Sequence, residues 1–307
     1  MIKCLVFGAN GFAGKHLTDL LVSKGYKVFA CTVIKQRALR LSKKAIIVEG
    51  DITNLQRTKH LVKGIDYVFN LAAIAHIENC NRNPEEALQV NAIGAVNVAK
   101  ACAESNARLL HVSTAAVYGR QPVNVKFTEE TPTNVNDMYS ASKLAGEQGV
   151  REIADKTRLD YVIARAFNHY GPGQDKYFFI PRVILNCLKK EKFSLKTPES
   201  IRDYTFVSDI VQGYLDLMEK GRNGEVYNLC TSNGLKCKEI VGLIIKMTGS
   251  SCEIEWDHNV EDRMPYFVGS YDKAKRELSW NPKTNITEGL HETINYLQGK
   301  TNQDFDG

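Results

Sequence analysis

The sequence predicts an α/β protein, a doubly wound parallel sheet covered by helices on both faces and followed by a smaller C-terminal α/β lobe. Three observations predict it. The first half alternates short β-rich runs with helical stretches, the pattern that builds a parallel sheet. A glycine-rich turn, Gly8 to Gly14, joins the first strand directly to the first helix. At 307 residues the chain is at or slightly above what one hydrophobic core supports, which favours a large domain with a smaller companion. The boundary falls near residue 166, giving units 1–166 and 167–307, the second with segments that return to the first.

Candidate strands cover residues 2–7, 27–32, 45–49, 67–71, 108–113 and 160–165. Between the first two, Leu17, Leu20 and Leu21 form a helical stripe closed at Gly25, where a left-handed cap is expected. Past Arg165 the regularity weakens into Gly171-Pro172-Gly173, Pro181 and Pro198. A helix follows Val207-Ser208-Asp209 with Ser208 as its cap, another runs over about 238–247 before Gly249, and a last one follows Thr287. Helices around 84–105 and 137–155 complete the first unit. No internal repeat is visible, and only the polar tail 300–307 reads as disordered.

With 43% hydrophobic and 24% charged residues, the composition excludes a disordered, collagen-like or coiled-coil chain. The formal charge of +5 is too small to imply nucleic acid, yet it suits an anionic small molecule. Eight cysteines are scattered without a Cys-x-x-Cys pair, several inside apolar runs, and read as reduced core thiols rather than metal ligands. Met1 leads straight into Ile2-Lys3-Cys4-Leu5-Val6-Phe7, too short for a signal-peptide core, and no run approaches the ~20 apolar residues of a membrane span. A soluble cytoplasmic protein without a membrane partner is expected.

Gly8-Ala9-Asn10-Gly11-Phe12-Ala13-Gly14 follows the first strand and opens the first helix. Residues without Cβ let backbone N–H groups and the positive helix end approach a pyrophosphate, as in a Rossmann-type dinucleotide site. A merely structural turn is the bland reading, and the strand–turn–helix context argues against it. Where an NAD-preferring protein places a carboxylate at the end of its second strand, this sequence has Thr32, with Lys35 and Arg37 beyond it. A missing carboxylate beside cations favours the 2′-phosphate of NADP(H), with NAD(H) still possible. Lys35 and Arg37 could instead belong to a solvated loop.

Tyr139-Ser140-Ala141-Ser142-Lys143 puts a phenol and an ammonium four residues apart, hence on one helix face. A nearby cation stabilises phenolate and lowers a pKa normally near 10, which would make Tyr139 a proton donor or acceptor. Ser113 and Thr114 end a strand at the sheet edge where ligands bind, so Thr114 could hydrogen-bond the carbonyl oxygen that Tyr139 protonates. A Tyr-x-x-x-Lys pair alone is weak; its force comes from order and spacing.

Together the glycine loop, Asp51-Ile52, Asn70-Leu71-Ala72-Ala73, Asn91-Ala92-Ile93-Gly94, Ser113-Thr114-Ala115-Ala116-Val117-Tyr118-Gly119, Tyr139-x-x-x-Lys143 and Arg165-Ala166-Phe167-Asn168 resemble the extended short-chain dehydrogenases that act on nucleotide sugars. The resemblance implies a nucleotide-diphosphate sugar as substrate. It also implies that Gly8, Asn10, Gly11, Phe12 and Gly14 hold the cofactor, with Asp51 and Ile52 flanking adenine, Leu71, Ala72 and Ala73 lining the channel, and Asn91 supporting the nicotinamide side. Read without it, Asp51 is a helix cap and Asn91 a polar helix residue.

Dehydratases of this superfamily carry an acidic or polar-acidic pair after the hydroxyl residue, because eliminating water needs a further acid and base. Ala115 and Ala116 occupy those positions and move no protons, which disfavours dehydration. Residues 165–174, ending in Gln174, resemble the GDP-4-keto-6-deoxy-mannose reductases, as do 224–230 and 275–282. By that likeness Asn168, Arg202 and Arg263 contact the diphosphate, His76 faces the sugar, and the helices around 84–105 and 137–155 form a homodimer. A surface salt bridge is the plain alternative for either arginine, and a structural role the alternative for His76. Reduction of a nucleotide-linked 4-keto-6-deoxyhexose is the leading expectation. A 4-epimerase retaining NAD and a non-catalytic dinucleotide sensor are the alternatives.

Overall fold

The computed structural model describes residues 1–34, 41–257, 260, 262 and 264–300. Lys35, Arg37, Arg263 and the tail 301–307 therefore lie outside the described residues.

Seven parallel strands form the main sheet: β1 (Lys3–Phe7), β2 (Lys27–Thr32), β3 (Ile46–Glu49), β4 (Tyr67–Asn70), β5 (Arg108–Thr114), β6 (Tyr161–Ala166) and β10 (Val226–Leu229). Their order is β10-β6-β5-β4-β1-β2-β3, so the chain winds outward from β1 both ways. Because both faces are covered, the strands are mostly buried, β6 and β10 at every residue, while the edge strand β3 has none fully buried. Cys4 and Val6 of β1 pack with Leu17 and Leu21 of α1 (Phe12–Ser23) and with Val211, Tyr214 and Met218 of α8 (Val207–Lys220). Leu5 and Phe7 face the other side, against Val98 and Cys102 of α5 (Gly94–Ser105) and Val150 of α6 (Met138–Asp155). Thus α8 and β10, both from beyond residue 166, complete the first core.

The six strands expected from the sequence form within one residue at each end. The seventh, β10, was not foreseen as a strand. Gly25 lies just past α1 with φ +84, as the stripe implied. Ser208 does not cap α8; the helix leaves directly from extended Phe206 with no side-chain cap, and Ser208 lies inside it. Thr287 is likewise inside α11 (Ile286–Gln298), which Asn285 caps in a reciprocal box with Glu288.

Between β4 and α5 the chain forms α3 (Ile77–Arg82), α4 (Pro84–Leu88) and a π turn, Gln89–Ile93. In the second lobe β9 (Ile201–Phe206) pairs with β7 (Asn168–Tyr170), β11 (Gly234–Lys236) and β13 (Tyr266–Phe267), while β8 (Phe193–Lys196) pairs with β12 (Ile254–Asp257). Its core joins Ile184 and Cys187 of α7 (Phe179–Lys189), Ile240 and Ile244 of α9 (Cys237–Thr248), and Leu290 and Ile294 of α11. No helix among the described residues is long and apolar enough to cross a membrane.

Candidate active site

A cleft of about 520 Å³ opens where the carboxyl ends of β1, β4, β5 and β6 meet the second lobe. Its first wall is the glycine turn. Gly8 adopts φ +77, and a Cβ there would sit 2.8 Å from the Ala72 nitrogen. A Cβ on Gly14 would fall 2.1 Å from the Gly8 carbonyl oxygen, so α1 can approach β1 only with glycine at this point. The Gly11 N–H donates to that carbonyl at 3.0 Å and closes the turn. No side chain caps α1 and no acid lies in its first turn, so its positive end meets the cleft. These residues fit the pyrophosphate of a dinucleotide. Gly14→Ala should therefore destabilise the protein by ~1–3 kcal/mol and weaken dinucleotide binding, as read by thermal unfolding and a fluorescence titration with the reduced nicotinamide dinucleotides.

The second wall is α6. Asp137 accepts the Ser140 N–H at 2.8 Å and starts the helix, which sets Tyr139 in its first turn and Lys143 one turn later. Tyr139 hydrogen-bonds the Thr114 side chain, and Thr114 Oγ1 also accepts the Ala116 N–H at 3.1 Å. Lys143 is buried and donates from Nζ to the Val112 carbonyl at 2.7 Å. Burial pushes the Tyr139 phenol up to about 12 against the Thr114 bond, and pulls Lys143 down to about 8 against the pull of Glu147. The expectation that Lys143 lowers the phenol is thus not what this geometry produces. Desolvation governs both groups, and the ammonium is turned onto the main chain.

Thr114, Tyr139, Lys143, Asn168 and His76 come together here with Gly8, Gly11, Phe12, Gly14, Leu71 and Ala73. The His76 ring packs on Phe178 with centroids 4.9 Å apart, a partner not visible in the sequence. Asn168 Nδ2 is buried without a protein partner. Other expected residues do not line this cleft. Asn91, in the π turn, receives the Ile74 N–H at 2.8 Å and donates to Ser142 Oγ at 2.9 Å, clamping the loop after β4 onto α6. Asp51 closes its own turn by accepting the Thr53 N–H at 2.8 Å, while Asn54 caps the next helix, α2 (Leu55–Val62). Ile52 is buried against α5, where a Cβ on Gly94 would meet its Cδ1 at 2.5 Å. Thr32 is buried at the end of β2 and donates to the Ile34 carbonyl at 3.1 Å, whereas Asn10 is exposed.

Arg202 departs most from expectation. Its Nη1 returns to the Ile201 carbonyl at 3.0 Å and its Nη2 lies 3.6 Å from Asp262, the salt bridge of the plain alternative. Sequence reasoning also gave His169 no role. Its ring stacks on Phe12 at 5.7 Å and 4°, while His16 Nε2 pairs with the Pro172 carbonyl at 2.8 Å, so the loop after β7 closes over α1. The Asn168-His169 pair was the available signal.

Residues 4–230 match the family described as NAD dependent epimerase/dehydratase. The chain belongs to that family. Among its curated relatives, dTDP-glucose 4,6-dehydratase of Mycobacterium tuberculosis is 30% identical over 97% of this chain and 93% of its own. UDP-glucose 4-epimerase of Thermotoga maritima, solved with UDP-glucose, superposes with a TM-score of 0.91 at 28% identity, covering 97% of this chain and 99% of that one. dTDP-glucose 4,6-dehydratase of Bacillus anthracis, solved with NAD, gives 0.89 at 26% identity over 99% and 98%. The epimerase/dehydratase family thus accounts for the Rossmann-type sheet and the nucleotide-sugar chemistry. The three relatives described are two dehydratases and one epimerase.

Proposed function

We propose that the protein reduces the C4 ketone of a nucleotide-linked 4-keto-6-deoxyhexose with NADPH, residues 1–166 carrying cofactor and chemistry and 167–307 mainly the sugar nucleotide. When bound, the reduced nicotinamide supplies hydride. Tyr139 gives the carbonyl oxygen its proton from Oη, Thr114 fixes that oxygen with its hydroxyl, and Lys143 holds positive charge behind them. Asn168 offers its unpartnered Nδ2 to the diphosphate. Thr32, in place of a carboxylate, supports NADPH over NADH.

The observation that carries this reading is the pair of alanines directly after Thr114. Ala116 lines the cleft and Ala115 is buried beside it, so elimination of water has neither of the extra proton carriers it needs there. This holds despite the likeness to dehydratases. Among the described lining residues Lys143 is the only lysine or arginine, and it donates one hydrogen bond to the Val112 carbonyl, so no arginine is there to pair a sugar carboxylate bidentately. That lining favours a neutral 6-deoxy sugar over a uronate.

Incubation with GDP-4-keto-6-deoxymannose and NADPH should consume one reduced cofactor per product, followed by nicotinamide absorbance. No consumption, with interconversion of a nucleotide sugar and its C4 epimer instead, would favour a 4-epimerase, the second reading that the 28% identity to the Thermotoga enzyme supports. Exposed Leu88 and Ile93, at 40% and 47%, support the homodimer through α4 to α6, which light scattering would check.

A further inference from the structure

We propose that Cys187 and Cys252 are an oxidation site, a thiol pair in the second lobe that closes to a disulfide. The two sulfurs lie 3.3 Å apart although 65 residues separate them in sequence. Cys187 is in the last turns of α7 and buried; Cys252 is half-buried in the loop that enters β12. One hydroxyl sets both main chains: Ser250 Oγ donates to the Cys187 carbonyl at 2.7 Å and accepts the Cys252 N–H at 3.2 Å. The backbones are therefore already docked, and the sulfurs need only close from 3.3 Å to the ~2.05 Å of a disulfide. Side-chain rotation covers about that distance. The other six cysteines are buried, and among the described residues none of them hydrogen-bonds a second thiol.

The exposure difference assigns the order of events. With a small disulfide such as glutathione disulfide as oxidant, the Cys252 thiolate attacks one of its sulfurs, forms a mixed disulfide and releases one glutathione thiol. Cys187, whose thiol burial and its neighbour push up to about 12, then loses its proton as it attacks the Cys252 sulfur and expels the second glutathione thiol. Two protein thiols are oxidised and one small disulfide is reduced to two thiols. The new bond anchors the far end of α7 to the loop after α9, and the first turn of α7, with Phe179 and Ile180, is part of the cleft wall. It closes a loop holding β8, β9, α8, β10, β11 and α9, so oxidation should stabilise the second lobe.

This inference does not rest on the reading of the active site, and its test needs no substrate. The folded full-length protein is treated with glutathione disulfide, the remaining thiols are alkylated, and the digest is examined by mass spectrometry. The expected result is loss of two thiols, a linked peptide pair containing residues 187 and 252, and a higher thermal midpoint after oxidation. The midpoint rise should vanish in Cys252→Ser, whose half-buried position tolerates the change. A glutathione adduct that persists on Cys252 without linkage, a link between other cysteines, or eight unreacted thiols would overturn the proposal.

Discussion

Tyr139→Phe should lower turnover of the keto sugar by roughly 10²- to 10⁴-fold, the range lost when a positioned acid is removed. The phenol is held at the cleft by Thr114 and, with burial pushing it up to about 12, it keeps its proton at neutral pH. That suits a donor to a forming alkoxide. Removing one hydroxyl changes little in packing, so the thermal midpoint should stay close to that of the parent and NADPH should still bind. Equal kcat in the parent and the variant would sink the assignment of Tyr139 as proton donor, whereas no turnover in the parent would revive a non-catalytic dinucleotide sensor. Thr114→Val should give a smaller loss in kcat, because it removes the oxygen's orientation rather than its proton.

The glycine turn was legible because its constraints are largely local. Gly14 answers to the Gly8 carbonyl within its own strand–turn–helix unit, so spacing identifies it, whereas the contact that holds Gly8 to glycine, the Ala72 main chain after β4, is not visible locally. Tyr139 and Lys143 were legible as a pair for the same reason, one helical turn apart. What the sequence could not show depends on partners far along the chain. Arg202 finds Asp262, sixty positions later, the salt bridge of the plain alternative. Lys143 loses its simple role because burial sets its charge and the Val112 carbonyl, on another element, takes a hydrogen bond from its ammonium. Strand β10 is a four-residue run whose hydrogen-bonding partner is β6, so nothing near it in sequence distinguished it from a loop. The cap of α8 was misread because Asp209, beside Ser208, is engaged elsewhere, accepting the Thr284 N–H at 2.9 Å, and the helix starts straight from β9.

Glu147→Ala should cost about 3–5 kcal/mol of stability, the loss seen when one partner of a buried ion pair is removed. Glu147 lies one turn beyond Lys143 on α6 and is fully buried. Its two oxygens accept from Arg165 Nε at 3.1 Å and Nη2 at 2.7 Å. The guanidinium also lies 4.8 Å over the Tyr118 ring, whose hydroxyl donates to Asn228 at 2.7 Å, so β6, α6 and β10 share one polar knot beneath the cleft. Alanine leaves that guanidinium charged, because nothing near neutral pH deprotonates it, and without its ion-pair partner among the described residues. Replacing both partners, Glu147→Met with Arg165→Met, strands no charge and should cost less than the single change. Urea denaturation of the parent, the single and the double variant decides between them. A single variant within ~0.5 kcal/mol of the parent would mean that water reaches the pair and that the knot is not closed. In the single variant Lys143 also loses the carboxylate that opposes its desolvation, which moves its pKa further below about 8. Deprotonation of Lys143 should then begin at lower pH, and the alkaline fall in kcat/KM should shift the same way.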